Sequence, residues 1–172
     1  MKQVHLLRHA PKHATGALTD AGKKLAQERK KQMDHYDLII ASDKPRAVET
    51  AVLLTGKTPL IDKRAGTPAF TPEQMRQLHL AGEKHPFGVA GVIFDHPQYR
   101  PMIITQAKQL TRLIEELMNK LPADGKALII SHDGVMVATE KLLKKLPLDR
   151  ADKTYPPLHG FSIDAEGKVI NL

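Results

Sequence analysis

The chain alternates short apolar runs with longer stretches in which apolar residues recur every three or four positions. Short apolar runs, bounded by polar or turn-forming residues, are typical of buried β-strands. Six runs predict strands, at 3–7, 37–42, 58–64, 127–131, 161–163 and 168–170. The last two flank a turn at 164–167 and should form a closing hairpin.

The longer stretches predict helices. They extend from Thr19 to near His35, from about position 43, over 102–121 and over 134–146. Thr19 is the expected N-cap of the first helix, and Ser42 or Asp43 should cap the second. Pro45 then falls in the first turn of that second helix, where its missing N–H costs no hydrogen bond. Strands that alternate with helices predict an α/β fold with a mostly parallel sheet.

The segment 65–101 departs from this alternation, because five prolines and four glycines interrupt it. Regular elements there should be short. One helix is predicted at 71–82, where Thr71 and Gln74 fit a capping box and Gly82 is a suitable stop. A length of 172 residues suits one domain. We interpret 1–172 as a single domain in which 65–101 is an irregular lid over the functional site.

Three of the predicted strands are followed by polar residues, which include arginine and histidine. The first ends at Arg8 and His9, the second at Ser42 with Arg46 one helical turn later, and the fourth runs into His132. The carboxyl ends of parallel strands lie along one edge of a sheet, and ligands bind outside that edge. Two arginines and two histidines should therefore meet in one site.

Two guanidiniums and two imidazoles suit phosphoryl chemistry. An arginine fork matches phosphate oxygens, and phosphoryl transfer needs fixed donors around the spreading negative charge. A neutral imidazole is a competent nucleophile when an acceptor holds its other ring nitrogen. No acidic cluster suited to Mg²⁺ accompanies these motifs. The sequence therefore predicts a metal-independent reaction without a cofactor.

Composition narrows the possible partners. The net charge of +7 and a pI near 9.6 favour anionic ligands. Aromatic residues make up 4% of the chain and tryptophan is absent, which argues against base-stacking nucleic-acid binders. No apolar run is long enough to span a membrane, and Arg8 comes too early for a signal peptide. We expect a cytoplasmic protein that binds neither nucleic acid nor membrane.

Four ordered motifs resemble those of the histidine phosphatase superfamily, the phosphoglycerate-mutase-like group, branch 1 type. They are Leu-Leu-Arg-His-Ala at 6–10, Leu-Thr-Asp-Ala-Gly at 18–22, Ser-Asp-Lys-Pro-Arg-Ala-Val-Glu-Thr-Ala at 42–51 and Ser-His-Asp-Gly-Val at 131–135. The tail at 155–160, followed by the hairpin, also resembles the family's ending. The motifs cover nearly the whole chain apart from 65–101.

The resemblance implies a three-layer α/β/α sandwich and a phosphatase reaction. His9 would take the phosphoryl group, and Arg8, Arg46 and His132 would form the phosphate pocket. Water would then hydrolyse the phosphohistidine. The expected substrate is a small phosphoric monoester or a phosphoprotein that carries phosphohistidine.

Two departures from the family pattern concern the nucleophile's neighbour and the general acid. The family usually has glycine where this chain has Ala10, and it often has a glutamate after the third strand, where 64–68 offers none. Glu73, Asp133 and Asp95 are the remaining candidates for the acid, although the capping-box setting of Glu73 gives it a structural use. A site without a dedicated acid would favour good leaving groups, such as those of phosphohistidine or acyl phosphates.

Three alternatives to a phosphatase remain. The missing acid leaves open a non-catalytic phosphate-binding module. A phosphoglycerate mutase is less favoured, because the chain is short for the substrate-enclosing segments that such mutases carry. A basic nucleic-acid binder would fit only the charge.

Overall fold

A six-stranded sheet forms the centre of the protein in a computed structural model that describes residues 1–172. Its strands are β1 (Gln3–Arg8), β2 (Leu38–Ala41), β3 (Leu60–Ile61), β4 (Lys126–Ser131), β5 (Gly160–Asp164) and β6 (Val169–Asn171). They lie in the order β3-β2-β4-β1-β5-β6. The first four are parallel, whereas β5 runs antiparallel to both β1 and β6. The predicted parallel sheet and closing hairpin are confirmed.

Six helices cover the two faces of the sheet. They are α1 (Asp20–Lys30), α2 (Pro45–Thr55), α3 (Pro72–Gly82), α4 (Gly88–Asp95), α5 (Tyr99–Lys120) and α6 (Asp133–Leu143). Side chains of α1 and α2 share one hydrophobic cluster with the sheet, and those of α3 to α6 share the other. The fold is therefore a three-layer α/β/α sandwich.

Alternation along the central strands explains why both faces are apolar. On β4, Ala127 and Ile129 enter the larger cluster, whereas Leu128 and Ile130 enter the smaller one. Successive side chains of a strand point to opposite faces, so a strand covered on both sides reads as a continuous apolar run. All four residues are completely buried.

Helix α1 ends at Lys30, not near His35 as its apolar spacing predicts. The N–H groups of the next residues bond three positions back, with Gln32 N 2.9 Å from Arg29 O, so the chain tightens out of the α-helix. Met33 still packs against the smaller cluster, which explains why the apolar spacing continues past the helix.

The third strand is two residues long, whereas the sequence predicts a strand over 58–64. Asp62 turns the chain, because its carboxylate accepts a hydrogen bond from Arg64 N at 2.9 Å and also binds the Arg64 guanidinium. A 3₁₀ turn at Lys63–Ala65 follows. Leu60 and Ile61 are exposed, so this edge strand buries little apolar surface.

The segment 65–101 holds two helices where the sequence predicts one. The capping box of α3 is confirmed, since the Thr71 hydroxyl accepts from Gln74 N and the Gln74 side chain accepts from Thr71 N. Helix α4 escapes prediction because it is apolar on all sides and shows no helical periodicity. Helix α5 also begins earlier than predicted, at Tyr99, with Pro101 in its first turn.

Helix α6 ends at Leu143, three residues before the predicted end. Lys145 adopts a left-handed φ of 55°. The N–H of Leu146 reaches the Lys141 carbonyl at 2.8 Å, and the N–H of Lys145 reaches that of Leu142 at 3.1 Å. This is a Schellman motif, which stops the helix without the glycine that usually marks such an end.

Candidate functional site

The carboxyl ends of β1, β4 and β2 lie side by side at one edge of the sheet. Arg8, the last residue of β1, is in register with Ser131, the last residue of β4. Ala41 ends β2 and is in register with Ile130 of β4. The segments that follow these strands therefore leave the sheet next to one another, as the sequence predicts.

His9 follows β1 and is buried. Its Nδ1 lies 2.7 Å from the carbonyl oxygen of Ala10. Since a carbonyl only accepts, Nδ1 carries the proton and Nε2 the lone pair. Burial, opposed by the Ala10 hydrogen bond and reinforced by the charges of Arg46 and Arg8, lowers the pKa of His9 to about 3. His9 is therefore a neutral imidazole near neutral pH.

Arg46 connects the two histidines of the site. It lies in the first turn of α2, directly after Pro45. Its Nε donates to Nε2 of His9 at 3.1 Å, and its Nη2 donates to Nδ1 of His132 at 3.2 Å. The two imidazole rings lie edge to face with centroids 5.1 Å apart. One guanidinium thus spans both rings.

His132 is held from its other side by Ser42. The Ser42 hydroxyl lies 2.8 Å from Nε2 of His132. Because Nδ1 accepts from Arg46, the neutral ring carries its proton on Nε2 and donates to Ser42. Burial above all, with His9 and Arg46 adding to it, holds the pKa of His132 well below its usual range.

The predicted cap of α2 is wrong. The N-cap residue is Lys44, and no side chain caps the helix. Ser42 instead directs its hydroxyl to His132. Its role could have been found in the sequence, since Ser42 follows its strand as His9 and His132 follow theirs.

Arg8 has an unpaired donor. Its Nη1 donates to the Tyr155 carbonyl and lies 3.6 Å from Oδ2 of Asp133. Its Nε is buried without a hydrogen-bond partner. An unpaired buried N–H costs about 1–3 kcal/mol, and an anion bound beside it would supply the missing acceptor. The Tyr155 carbonyl is a backbone group, so no sequence motif indicates it.

The motif at 18–22 supports the loop that carries His9. Thr19 caps α1 as predicted, accepting from Gly22 N at 2.9 Å. A Cβ on Gly22 would lie 2.3 Å from the Pro11 carbonyl oxygen, so only glycine fits there. The motif thereby places the start of α1 directly against the chain that follows His9.

Thr50 of α2 ties the backbone of Ala10 to that of Arg46. Its hydroxyl accepts from Ala10 N at 3.0 Å and donates to the Arg46 carbonyl at 2.7 Å. Ala10 is fully buried and does not have a positive φ, so its backbone requires no glycine. The methyl group is accommodated beside His9 without a left-handed conformation.

Comparison with known proteins gives structural likeness at low sequence identity. No protein-family model and no curated protein matches the chain. A mycobacterial glucosyl-3-phosphoglycerate phosphatase in complex with inorganic phosphate is 19% identical, with a TM-score of 0.74 over 100% of this chain and 96% of that chain. A variant of phosphoserine phosphatase from Entamoeba histolytica in complex with phosphoserine is 16% identical, with a TM-score of 0.70 over 99% and 95%. YhfR of Bacillus stearothermophilus is 18% identical, with a TM-score of 0.69 over 99% and 95%.

Likeness along nearly the full length of both chains decides the architecture. The chain shares the fold of these phosphatases. The fold class that the motifs imply is confirmed. Because these sequence identities are below 20%, the structural likeness establishes only the fold. The catalytic roles of Arg8, His9, Arg46 and His132 stay predictions.

Within this fold, Arg8, His9, Arg46 and His132 line a cavity of about 700 Å³ at the edge of the sheet. Lys12 adds a further cation to this end. Further lining residues come from 67–103. The cavity therefore has a cationic end at the edge of the sheet. Much of its remaining lining comes from the segment 65–101, for which the sequence predicts the fewest elements.

Asp133 is the one carboxylate that lines the cavity. Its Oδ1 accepts from Tyr155 N at 2.7 Å, and its Oδ2 accepts from the Thr154 hydroxyl at 2.5 Å and faces Arg8. Tyr155 N and Arg8 are donors and the Thr154 hydroxyl can donate as well, so both oxygens of Asp133 can be used as acceptors within the protein. Asp133 holds Arg8 in place rather than presenting an acid to the cavity.

The other two acid candidates do not reach the site. Glu73 is exposed and pairs with Arg76, and the capping box uses Gln74 instead. Asp95 is exposed and pairs with His85. Neither lines the cavity.

The chain offers neither a clustered set of metal ligands nor a membrane-spanning helix. No group of three or more His, Cys, Asp or Glu side chains is arranged to hold a metal ion. None of the helices has both the length and the apolar character needed to cross a bilayer.

Proposed function

We propose that the chain is a phosphatase that hydrolyses phosphoric monoesters through a phosphohistidine on His9. One observation carries the proposal. The Ala10 carbonyl fixes the proton on Nδ1 of His9, so the Nε2 lone pair lies at the cationic end of the cavity. A neutral imidazole held in this way is a ready nucleophile for phosphorus.

In the first step, Nε2 of His9 bonds to phosphorus as the bond from phosphorus to the ester oxygen breaks. The electron pair leaves with the alcohol oxygen, which takes a proton from water. Negative charge spreads over the three phosphoryl oxygens, and fixed donors stabilise it. Arg8 supplies its free Nε, and Arg46 transfers its Nε hydrogen bond from His9 to a phosphoryl oxygen.

His132 completes the phosphate pocket. Its Nδ1 accepts from Arg46 in the empty site. A bound phosphate dianion favours protonation of Nδ1, because it adds negative charge beside the ring. The protonated ring then donates from Nδ1 to a phosphoryl oxygen while Nε2 keeps its hydrogen bond to Ser42.

In the second step, water attacks phosphorus and the bond to Nε2 breaks. Inorganic phosphate leaves and His9 returns to its neutral form. Because the oxygens of Asp133 are occupied, no protein carboxylic acid protonates the leaving group. Esters with good leaving groups, acyl phosphates and phosphohistidine should therefore react fastest. A small phosphorylated molecule is the proposed substrate, with a phosphohistidine-bearing protein as the alternative.

A second candidate is a phosphate-binding module without turnover. The occupied oxygens of Asp133 favour it, since they leave the cavity without an acid. Such a module would bind inorganic phosphate at the same cationic end and would accumulate no phosphoenzyme.

Hydrolysis of p-nitrophenyl phosphate and acetyl phosphate by wild type and His9→Ala tests the proposal. His13→Ala is the matched control, because His13 is an exposed histidine outside the cavity. We expect turnover and an acid-labile phosphoenzyme in wild type and in His13→Ala, and neither in His9→Ala. A wild-type protein that binds phosphate but hydrolyses no ester or acyl phosphate would establish the module instead.

A further inference from the structure

The part of the cavity that is lined by residues of 67–103 is mainly apolar. Six side chains line it, and we call them the apolar wall: Phe70, Met75, Val89, Ala90, Ile93 and Ile103. They come from the loop before α3, from α3 and α4, and from the first part of α5. The apolar wall is therefore built mainly from 65–101, the segment that the four sequence motifs do not cover.

The fold brings this wall close to the phosphate end. Helix α4 packs across the start of α6, where an ideal Cβ on Gly134 would lie 3.8 Å from both Ala90 and the Ile103 side chain. Gly134 is two residues after His132. An organic group attached to a phosphate at the cationic end would therefore contact the apolar wall directly.

Some side chains of the apolar wall are buried, and others are only partly buried. Ala90 is buried, and Ile93 and Ile103 are buried in the larger hydrophobic cluster. Phe70 and Met75 are only partly buried against that cluster, so they keep apolar surface for a ligand. Each apolar contact removes surface from water and favours an apolar ligand group.

Charged partners are almost absent from this end. Among the cavity-lining residues of 67–103, His79 is the one ionisable side chain. A ligand ammonium would find only Asp133, whose oxygens already accept hydrogen bonds from Tyr155 and Thr154. Burying a ligand ammonium here would remove its water without supplying a free carboxylate as partner, which is costly.

We propose that the substrates are phosphate monoesters whose alcohol is uncharged and mainly apolar, such as an aryl or medium-length alkyl group. This inference rests on the proposed function, because the phosphate of the ester occupies the cationic end beside His9. The alcohol then lies against the apolar wall. A volume of about 700 Å³ holds a phosphate together with a group of that size.

Binding is tested without turnover by titrating methyl-, butyl- and octylphosphonate into the protein in a calorimeter. These compounds keep the phosphate-like head and cannot be hydrolysed. Affinity should rise on the order of tenfold from methyl to butyl, since each added methylene is buried against the wall. Equal affinities for all three would overturn the inference.

Selectivity is tested by comparing kcat/KM for phenyl phosphate, 2-naphthyl phosphate and O-phosphoserine. Met75→Gln places an amide in the wall at nearly constant side-chain length, and Leu80→Gln makes the same type of exchange at an exposed position of α3 outside the cavity. We expect Met75→Gln to lower kcat/KM for 2-naphthyl phosphate about tenfold more than it lowers kcat/KM for acetyl phosphate. Leu80→Gln should behave as wild type with every substrate.

The outcomes separate the two proposals. Preference for longer phosphonates without hydrolysis of any ester would keep the apolar subsite and remove the phosphatase. Hydrolysis of phosphoserine as efficient as that of 2-naphthyl phosphate, with a phosphoenzyme present, would keep the phosphatase and remove the subsite. An equal loss in Met75→Gln and Leu80→Gln would also remove it.

Discussion

The hydroxyl of Ser42 lies 2.8 Å from Nε2 of His132, although 90 residues separate them in the chain. Both side chains are buried. Because Arg46 donates to Nδ1, Nε2 of the neutral ring carries the proton and Ser42 is its acceptor. Ser42 is thus a positioning residue that keeps Nδ1 directed to the phosphate end.

Replacing Ser42 by alanine should weaken this orientation. Nε2 would lose its acceptor, so the ring could turn or change its tautomer, and kcat/KM for p-nitrophenyl phosphate should fall roughly tenfold to a hundredfold. The stability loss should be about 1–3 kcal/mol, the cost of an unsatisfied buried donor. Nitrogen chemical shifts of His132 report the tautomer directly.

Ser162→Ala is the matched control for Ser42→Ala. Ser162 is also buried, but it lies on β5 and does not line the cavity. Its replacement should leave kcat/KM and the His132 spectrum unchanged. If Ser42→Ala keeps both the wild-type rate and the wild-type tautomer, Ser42 does not orient His132.

Asp133→Asn should slow all substrates by one common factor. The asparagine NH₂ would face the donors of Arg8, Thr154 or Tyr155, so the Arg8 guanidinium loses its support. We expect kcat/KM to fall about tenfold for both p-nitrophenyl phosphate and phenyl phosphate, as for a weakened charge pair. Comparing the two esters is the measurement, since phenol is the poorer leaving group.

A general acid would give the opposite pattern. Loss of an acid that protonates the leaving group slows the poorer leaving group more, by up to about 10²–10⁴-fold. A selective loss on phenyl phosphate would therefore assign the acid to Asp133 and contradict its role as a support for Arg8. Asp95→Asn, at an exposed aspartate outside the cavity, is the control and should have no effect.

The strand ends explain why the centre of the site could be predicted from the sequence. His9 follows β1 and His132 follows β4, and both strands are clear apolar runs in the sequence. Arg46 lies about one helical turn after β2, which is also a clear apolar run. A parallel sheet brings such positions to one edge regardless of their distance in sequence. The grouping of these residues therefore follows from the order of strands and helices along the chain.

Other parts of the site depend on groups that leave no sequence signal. The Tyr155 carbonyl that binds Arg8 is a backbone group, available at any residue. Helix α4, which supplies Val89 and Ile93 to the apolar wall, is apolar all round and has no period to detect. Tertiary packing, rather than local pattern, determines both.

Acid should destabilise the folded protein partly through His9. The folded-state pKa of His9 is about 3, below its ordinary value of 6.5, because the ring is buried. Between these values the unfolded chain binds the proton and the folded protein does not, so stability falls as pH drops and recovers as pH rises. At about pH 5 this amounts to about 2 kcal/mol of unfolding free energy relative to neutral pH.

Urea unfolding of wild type and His9→Gln at neutral pH and near pH 5 measures this contribution. His9→Gln should lose about 2 kcal/mol less than wild type on acidification. The remaining loss reflects other groups, including His132, whose pKa is also lowered by burial. His13→Gln, at an exposed position, should respond to acid like wild type, and an unchanged pH dependence in His9→Gln would contradict the assignment.

Lys145→Gly should stabilise the protein. Lys145 ends α6 in a left-handed conformation with a φ of 55°, which strains a residue that carries a Cβ by about 1–2 kcal/mol. Glycine relieves that strain and keeps both hydrogen bonds of the Schellman motif, although it loses more backbone entropy on folding. The net gain in unfolding free energy should be about 0.5–1 kcal/mol, measured by urea titration.

The same exchange at Lys24 is the control for Lys145→Gly, because Lys24 is exposed within α1, where the backbone is helical. Lys24→Gly should destabilise by about 1 kcal/mol, the usual cost of glycine inside a helix. The two variants remove the same side chain and change the net charge equally, so opposite signs can arise only from the backbone. If Lys145→Gly also destabilises, the left-handed conformation is not the cause of the helix end, and the three-residue difference from the predicted end of α6 would need another explanation.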